Sequence, residues 1–231
     1  MPVHTCYRWD SLLVGYAQTG IKLGGTITTP LFVNIGSSEA VDLQSIIPTG
    51  DDTSDNVFIQ TLDAYGRTVD SYGWINWAGE SGNQEAWCDD NYTILTGVSF
   101  QPGQGLWVTS NSEEDQTVQT AGKVGTNDVT VALRLGGTLT GNPFPTSVNI
   151  QDILPQGDDT SDNVFIQTLD AYGRTVNSYG WINWAGENGN QEAWVDDNYN
   201  VLDVTFTPGQ GLWITTNSEE PQTIRFPAPE L

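Results

Sequence analysis

The strongest constraint on the fold of this chain is a long internal repeat. Gly50 to Val69 reads GDDTSDNVFIQTLDAYGRTV, and Gly157 to Val176 reads the same, letter for letter. The identity continues through SYGWINWAGE, GNQEAW and DDNY, and it resumes at PGQGLW. A period this long exceeds that of helical or leucine-rich solenoids and suits a small β-domain. The 231 residues are therefore predicted to hold two homologous modules related by internal duplication.

The repeat also indicates how the chain is divided. We expect three segments: an N-terminal segment 1–11, a first β-module 12–120 and a second β-module 121–231. The run LGGT at 23–26 returns at 135–138, but the first copy then carries a longer stretch, Leu31 to Ala40. The second copy reads NPFP there, at 142–145. We expect the same strand order in both copies, with their main difference in this stretch.

Strand-like runs alternate with turn signals along each copy. Val57–Leu62 is rich in β-formers, and Asp63–Gly66 follows as a turn with Gly at a position of positive φ. The run 57–77 is therefore a predicted hairpin. Pro102-Gly103 fits a type II turn before a predicted strand at 106–109. Residues 41–47 and 148–154 fit a short helix or a strand equally well. The predicted class is all-β, with two tandem modules of β-sandwich or barrel-like form.

The charge of the chain narrows its partners. It carries 29 acidic and 7 basic residues, a formal net charge of −22. Such a charge repels nucleic acid phosphates and anionic lipid headgroups, so a nucleic acid partner is not expected. No apolar run is long enough to cross a bilayer, so membrane insertion is not expected either.

The runs NPFP, IQTLDAYGRTV and PGQGLWV resemble tandem modules found in uncharacterised secreted bacterial proteins. The resemblance covers most of the chain, although the first copy lacks the NPFP run. It implies an extracellular or cell-surface location and a repeat character, and it brings no activity, cofactor or catalytic residue. The start of the chain lacks the basic and apolar regions of a signal peptide. If the protein is secreted, we expect its leader to have been removed.

Two cysteines leave two readings open. Cys6 and Cys88 could form one disulfide, or Cys88 could be a buried free thiol. Val195 replaces Cys88 in the second copy, so the module folds without a cysteine at this position.

No catalytic residue is predicted. The one histidine, His4, lies in the N-terminal segment, so a nucleophilic triad is not expected. Zinc spacings and phosphate-binding loops are absent from the sequence. Glu80 and Glu85 are a candidate glycosidase pair, with Glu187 and Glu192 as their counterparts. Acidic residues are so abundant here that some pair arises by chance, and a glycosidase is our third choice.

Calcium is the one candidate cofactor. Short acidic loops supply the hard oxygens that calcium needs. The candidate ligands are Asp51, Asp52 and Asp55, with Asp158, Asp159 and Asp162 as their counterparts. The alternative, which we favour, is that these aspartates cap turns and solvate the surface.

Repeated aromatic residues are the candidate contacts to a ligand or to a neighbouring subunit. They are Tyr72, Trp74, Trp77 and Trp87, and their counterparts Tyr179, Trp181, Trp184 and Trp194. Core packing, an assembly contact and stacking on a sugar ring are the three readings of this group. Trp107 and Trp213 lie within predicted strands, and we expect them in the core.

The function predicted first is a non-enzymatic extracellular structural or assembly protein, such as a surface-layer or filament subunit. Self-association is expected through Met1–Trp9, where Tyr7 and Trp9 lie outside the repeat and could add a strand to a neighbour. The alternative for this segment is that it folds back onto its own first module. The alternative function is a carbohydrate-binding module that uses the Trp and Tyr residues, with calcium as a candidate support.

Overall fold

The computed structural model describes residues 5–9, 12–32, 40–79, 82–186 and 189–230. At 5–9, 12–13, 78–79, 82–83, 185–186 and 189–190 the description covers the backbone. The described residues contain no α-helix, and the all-β prediction is confirmed. Within them, no helix has the length and apolar character needed to span a membrane.

The first copy forms eleven strands and one short 3-10 helix, Leu43–Ser45. The strands are β1 Thr5–Trp9, β2 Leu12–Ile21, β3 Thr26–Thr28, β4 Val41–Asp42, β5 Ile47–Gly50, β6 Val57–Leu62, β7 Thr68–Gly79, β8 Gly82–Cys88, β9 Ser99–Phe100, β10 Leu106–Ser110 and β11 Gln116–Lys123. They make a four-stranded sheet in the order β1-β2-β11-β5, a five-stranded sheet in the order β3-β10-β6-β7-β8, and the small pair β4-β9.

The second copy forms ten strands and the 3-10 helix Ile150–Asp152. The strands are β12 Val129–Ala132, β13 Thr138–Gly141, β14 Val148–Asn149, β15 Leu154–Gln156, β16 Val164–Leu169, β17 Thr175–Gly186, β18 Gly189–Val195, β19 Thr205–Phe206, β20 Gly211–Thr216 and β21 Thr223–Phe226. Their sheets, β12-β21-β15, β13-β20-β16-β17-β18 and β14-β19, repeat the strand order of the first copy without a counterpart of β1. The origin of the copies by duplication stays a prediction.

Each copy is a sandwich, because its core lies between the two larger sheets. In the first copy, Ile21 and Val118 of the four-stranded sheet pack in one cluster with Ile59, Trp87 and Val108 of the five-stranded sheet. All five side chains are less than 10% exposed. Burial of apolar surface from both sheets therefore holds the copy together.

Local turn chemistry builds the hairpin that the repeat contains. β6 and β7 pair antiparallel, from Phe58 opposite Gly73 to Leu62 opposite Thr68, so the predicted hairpin is confirmed. Asp63 closes the turn by accepting the backbone N–H groups of Tyr65 and Arg67. Gly66 adopts a φ of +75°, which a side chain would disfavour. The ambiguous segments 41–47 and 148–154 each contain a short strand, a 3-10 turn and the start of another strand.

The N-terminal segment pairs with its own copy. β1 lies antiparallel to β2, with Thr5 opposite Tyr16 and Trp9 opposite Leu12. This arrangement is the fold-back alternative considered for the segment. On the other side of β2, β11 runs on to Lys123, past the junction expected at 120. The longer stretch of the first copy lies mostly outside the described residues, but its described members, Leu31, Phe32 and Ala40, are buried.

The two copies meet through contacts that come in equivalent pairs. The hydroxyl of Thr28 donates to the carbonyl of Gly209, and the hydroxyl of Thr140 donates to the carbonyl of Gly103. Thr28 and Thr140 occupy equivalent places in the repeat, as do Gly103 and Gly209. Reciprocal contacts of this kind indicate an approximate twofold relation between the copies. We call this region the seam.

Candidate binding site

A cleft of about 440 Å³ lies along the seam and is open to solvent. It is lined by equivalent residues of the two copies: Gln60 and Gln167, Leu62 and Leu169, Tyr65 and Tyr172, Gly66 and Gly173, Thr68 and Thr175, and Trp107 and Trp213. We call it the central cleft. Its volume lies within the range of small-molecule sites, about 300–1,000 Å³.

Strand alternation points Trp107 into the central cleft. In β10, Leu106, Val108 and Ser110 are buried, so Trp107 projects from the opposite face. Gly25 lies against the indole, where a Cβ would collide with the ring of Trp107. Gly137 leaves the equivalent space beside Trp213. The prediction that these tryptophans belong to the core is wrong. Both side chains are half-buried and line the cleft, because they project from the strand face that is turned toward the other copy.

The tyrosine at each rim of the central cleft is held by a short loop. Tyr65 is 77% exposed, and the guanidinium of Arg67 lies 5.2 Å from the centre of its ring. Arg67 also pairs with Asp63 at 2.6 Å. The hydrogen bond from Arg67 to the Asp63 side chain, helped by backbone N–H donors, lowers the pKa of Asp63 to about 2. The equivalent loop holds Tyr172 in the same way. Each rim tyrosine therefore lies beside an Asp–Arg ion pair whose two charges cancel.

The lining of the central cleft carries no formal charge. It offers amide, hydroxyl, aromatic and aliphatic groups, and no lining residue is a carboxylate or a cation. This neutrality stands out in a chain with a net charge of −22. The cleft can therefore exchange hydrogen bonds with the polar groups of a ligand and can stack its aromatic rings on a flat apolar face of that ligand.

A second candidate surface lies on each copy, away from the seam. Trp77 and Tyr92 are 39% and 55% exposed, and their ring centres lie 5.1 Å apart at 46°. The indole N–H of Trp77 donates to Asp55 at 3.2 Å. In the second copy, Trp184 and Tyr199 repeat this pair at 5.0 Å. We call each pair an aromatic platform.

Sequence reasoning identified the tryptophan of each platform and missed the tyrosine. Tyr92 adopts a φ of 60° in a turn that Asp89 closes by accepting the N–H groups of Asn91 and Thr93. These backbone hydrogen bonds, that of Thr93 first, lower the pKa of Asp89. The repeated DDNY run was the only sequence signal, and it says nothing about the distance to Trp77.

The other repeated aromatic side chains belong to the core, which corrects their assignment as ligand or assembly contacts. Trp74 and Trp87 pack edge to face at 5.4 Å, and both are at most 3% exposed. Tyr72 is half-buried against Phe100. Trp181, Trp194 and Tyr179 repeat this arrangement. The side chains of Tyr7 and Trp9 lie outside the described residues.

The candidate calcium ligands act as turn residues. Among the described residues, no three acidic, histidine or cysteine side chains converge as a metal site. Asp52 and Asp55 adopt φ values of 56° and 60°, and Gln116 donates to the backbone carbonyls of Asp51 and Asp52. Asp158, Asp159 and Asp162 form the equivalent loop. The turn therefore depends on the backbone of these aspartates and, at Asp55 and Asp162, on carboxylates that accept the indole N–H groups of Trp77 and Trp184. Calcium binding stays a prediction.

The candidate disulfide is not formed. Cys88 is a free thiol, 2% exposed, and its Sγ donates to the carbonyl of Gly73 at 3.3 Å. Burial, followed by the nearby Asp55, raises the pKa of this thiol. Cys88 lies in an edge strand of the five-stranded sheet, whereas Cys6 lies in β1 of the other sheet. The side chain of Cys6 is outside the described residues.

The candidate glycosidase pairs are only partly described. Glu85 and Glu192 are exposed and lie opposite Asn76 and Asn183 in neighbouring strands. Their predicted partners Glu80 and Glu187 are outside the described residues, as is His4.

Comparisons of the chain with known protein families, with curated proteins and with solved structures found no match. The resemblance to secreted bacterial tandem modules therefore stays a prediction.

Proposed function

We propose that this protein binds a neutral carbohydrate, without catalysis, in the central cleft between its two copies. The observation that carries the proposal is the pair of indoles, Trp107 and Trp213, that face one uncharged concave site from equivalent strands. The C–H face of a sugar ring is apolar, so it can stack on an indole and leave its hydroxyls free for hydrogen bonds.

Polar partners for those hydroxyls lie beside the indoles. The amides of Gln60 and Gln167 both accept and donate, and Thr68 and Thr175 add hydroxyls. Thr68 and Gln60 already contact each other at 3.4 Å, which is long for a hydrogen bond and readily exchanged for a ligand hydroxyl.

Charge favours a neutral ligand over an anionic one. The net charge of −22 repels anions at long range, and the central cleft offers no cation in its lining to offset this. A neutral glycan is indifferent to this field.

The test is calorimetric titration with neutral oligosaccharides, chosen by first screening the intact protein on a glycan array. We expect binding by the natural chain and at least a 10-fold loss in the double variant W107A/W213A, because both stacking faces are removed. The matched control is W77A/W184A, which removes two exposed tryptophans away from the seam. Equal affinity in W107A/W213A and the natural chain would reject the proposal.

A structural or assembly role in an extracellular layer or filament is the second candidate. The observation that favours it is β1, which pairs within the described residues only with β2 and so leaves its outer edge for a strand of a neighbour. Negative-stain electron microscopy of the natural chain and of a variant lacking residues 1–9 tests this role. Ordered polymers that disappear on deletion support it; dispersed particles in both samples oppose it.

A further inference from the structure

Two more clefts flank the central cleft along the seam. One, of about 460 Å³, shares Leu62 with the central cleft. The other, of about 330 Å³, shares Leu169 with it. Leu62 and Leu169 are equivalent residues of the repeat. The three clefts therefore lie in a row, each flanking cleft separated from the central one by a leucine.

Each flanking cleft contains one basic residue, and the two occupy equivalent places. Arg134 lines the first flanking cleft, and Lys22 lines the second. Each immediately precedes the LGGT run of its copy. The residue type differs between the copies while the positive charge is kept. Sequence identity between the copies therefore does not explain why a basic residue occupies both places.

Neither basic residue is used by an ion pair in the described part of the chain. The guanidinium of Arg134 donates to the backbone carbonyl of Leu62 at 3.2 Å, which places it next to the residue that separates the central cleft from this flanking cleft. The backbone N–H of Lys22 is held by Thr26, and that of Arg134 by Thr138. An aspartate also lines each flanking cleft, Asp70 in the first and Asp170 in the second. Because neither basic residue is ion-paired with a carboxylate in the described part of the chain, Lys22 and Arg134 retain free donors for a ligand.

From this row we infer that the ligand is a linear neutral glycan whose internal units occupy all three clefts. Trp107 and Trp213 stack on the central units, and Arg134 and Lys22 donate hydrogen bonds to hydroxyls of the outer units. The inference rests on the proposed carbohydrate-binding function and adds the length and shape of the ligand. All three clefts are open to solvent, which suits an internal stretch of a polymer.

The experiment uses calorimetric titration of the natural chain with length ladders of linear neutral oligosaccharides, namely β-1,4-linked glucose, mannose and xylose and β-1,3-linked glucose. In the ladder that binds, affinity should rise at least 10-fold from the shortest ligand to one that fills the row, and should then stay constant. An affinity that is already constant at the shortest binding ligand would overturn the inference while leaving the proposed function intact.

Substitutions at the two ends separate the outer units from the central ones. We expect K22A and R134A each to weaken binding of the long ligand about 5-fold, the effect of losing about one exposed hydrogen bond, and to leave the shortest ligand unaffected. K123A is the control, because it removes a positive charge from β11 that lines none of the three clefts; Lys123 lines a separate cleft, which meets the Arg134 cleft at Gln101, Pro102 and Thr130. If K22A and R134A have no more effect than K123A, the ligand does not reach the flanking clefts. If no ladder member binds, the proposed function fails, and the inference fails with it.

Discussion

The hydroxyl of Thr140 donates a 2.6 Å hydrogen bond to the carbonyl of Gly103, and the two residues belong to different copies of the repeat. Thr140 is fully buried, so the bond is shielded from water. Its counterpart, from Thr28 to Gly209, measures 2.9 Å. The seam, and with it the central cleft, depends on such buried polar contacts.

The two seam threonines should differ in their effect on stability. Thr140→Val removes the hydroxyl that donates to the Gly103 carbonyl, so we expect a loss of about 1–3 kcal/mol in the free energy of unfolding. Thr28→Val should cost less, because the Gly209 carbonyl also accepts the N–H of Thr29. Urea denaturation measures both, with exposed Thr130→Val as the control. Equal and negligible changes in both variants would show that the seam does not depend on these bonds.

The glycines beside the cleft tryptophans should be intolerant of a methyl group. A Cβ at Gly25 or Gly137 would collide with the indole of Trp107 or Trp213, so the ring must move. We expect G25A and G137A to weaken oligosaccharide binding and to quench or shift tryptophan fluorescence. G20A is the matched control, because a Cβ at Gly20 meets nothing within 4 Å. Unchanged binding by G25A would mean that the indole position is not critical.

Substitution of a core tryptophan should destabilise the protein more than substitution of a platform tryptophan. Trp87 is fully buried, and its indole donates to the Ile46 carbonyl at 2.6 Å. Trp87→Ala should therefore cost about 3–5 kcal/mol. Trp77→Ala removes a partly exposed ring and should cost about 1 kcal/mol or less. Thermal melts of these variants and of the pair W194A and W184A measure the difference. Comparable losses at Trp77 and Trp87 would place the platform in the core.

The carboxyl of Asp63 should titrate near pH 2. Its pKa is lowered to about 2, chiefly by Arg67, against about 3.9 in an unfolded chain. A lowered pKa means that ionised Asp63 stabilises the Tyr65 loop above about pH 4, and that this contribution is lost as the pH falls through 2. NMR titration of the carboxyl carbon measures the midpoint. R67Q should move it upward; a midpoint unaffected by this substitution would contradict the assigned cause.

The thiol of Cys88 should be inert until the protein unfolds. It is buried and its pKa is raised, so little thiolate is exposed to reagents. We expect no reaction with a thiol reagent in the native state and reaction at this residue in denaturant. C88V should cost under about 1.5 kcal/mol, since Val195 fills the equivalent place in the second copy. A Cys6–Cys88 disulfide found by peptide mass spectrometry would contradict the free thiol.

Local signals in the sequence are enough to predict the main hairpin of each copy. The β6–β7 hairpin follows from a β-rich run and a turn in which Asp63 and Gly66 supply the required conformation, so no distant contact is needed to predict it. The period-2 rule also states that Trp74 and Trp77, three residues apart, lie on opposite faces of β7. It does not state which face is covered, because burial depends on the second sheet.

The sequence by itself determined the all-β class, which follows from local propensity and turn signals, and the repeat, which is visible when the two segments are compared letter for letter. Only the tertiary structure decided the site. The position of Trp107 in its strand is compatible with a core residue and with a cleft residue. It lines the cleft because this face of the strand is turned toward the other copy. Likewise, Lys22 and Arg134 are 112 positions apart, and their equivalent places in the two flanking clefts come from the approximate twofold relation of the copies. Local propensity contains no information on such packing.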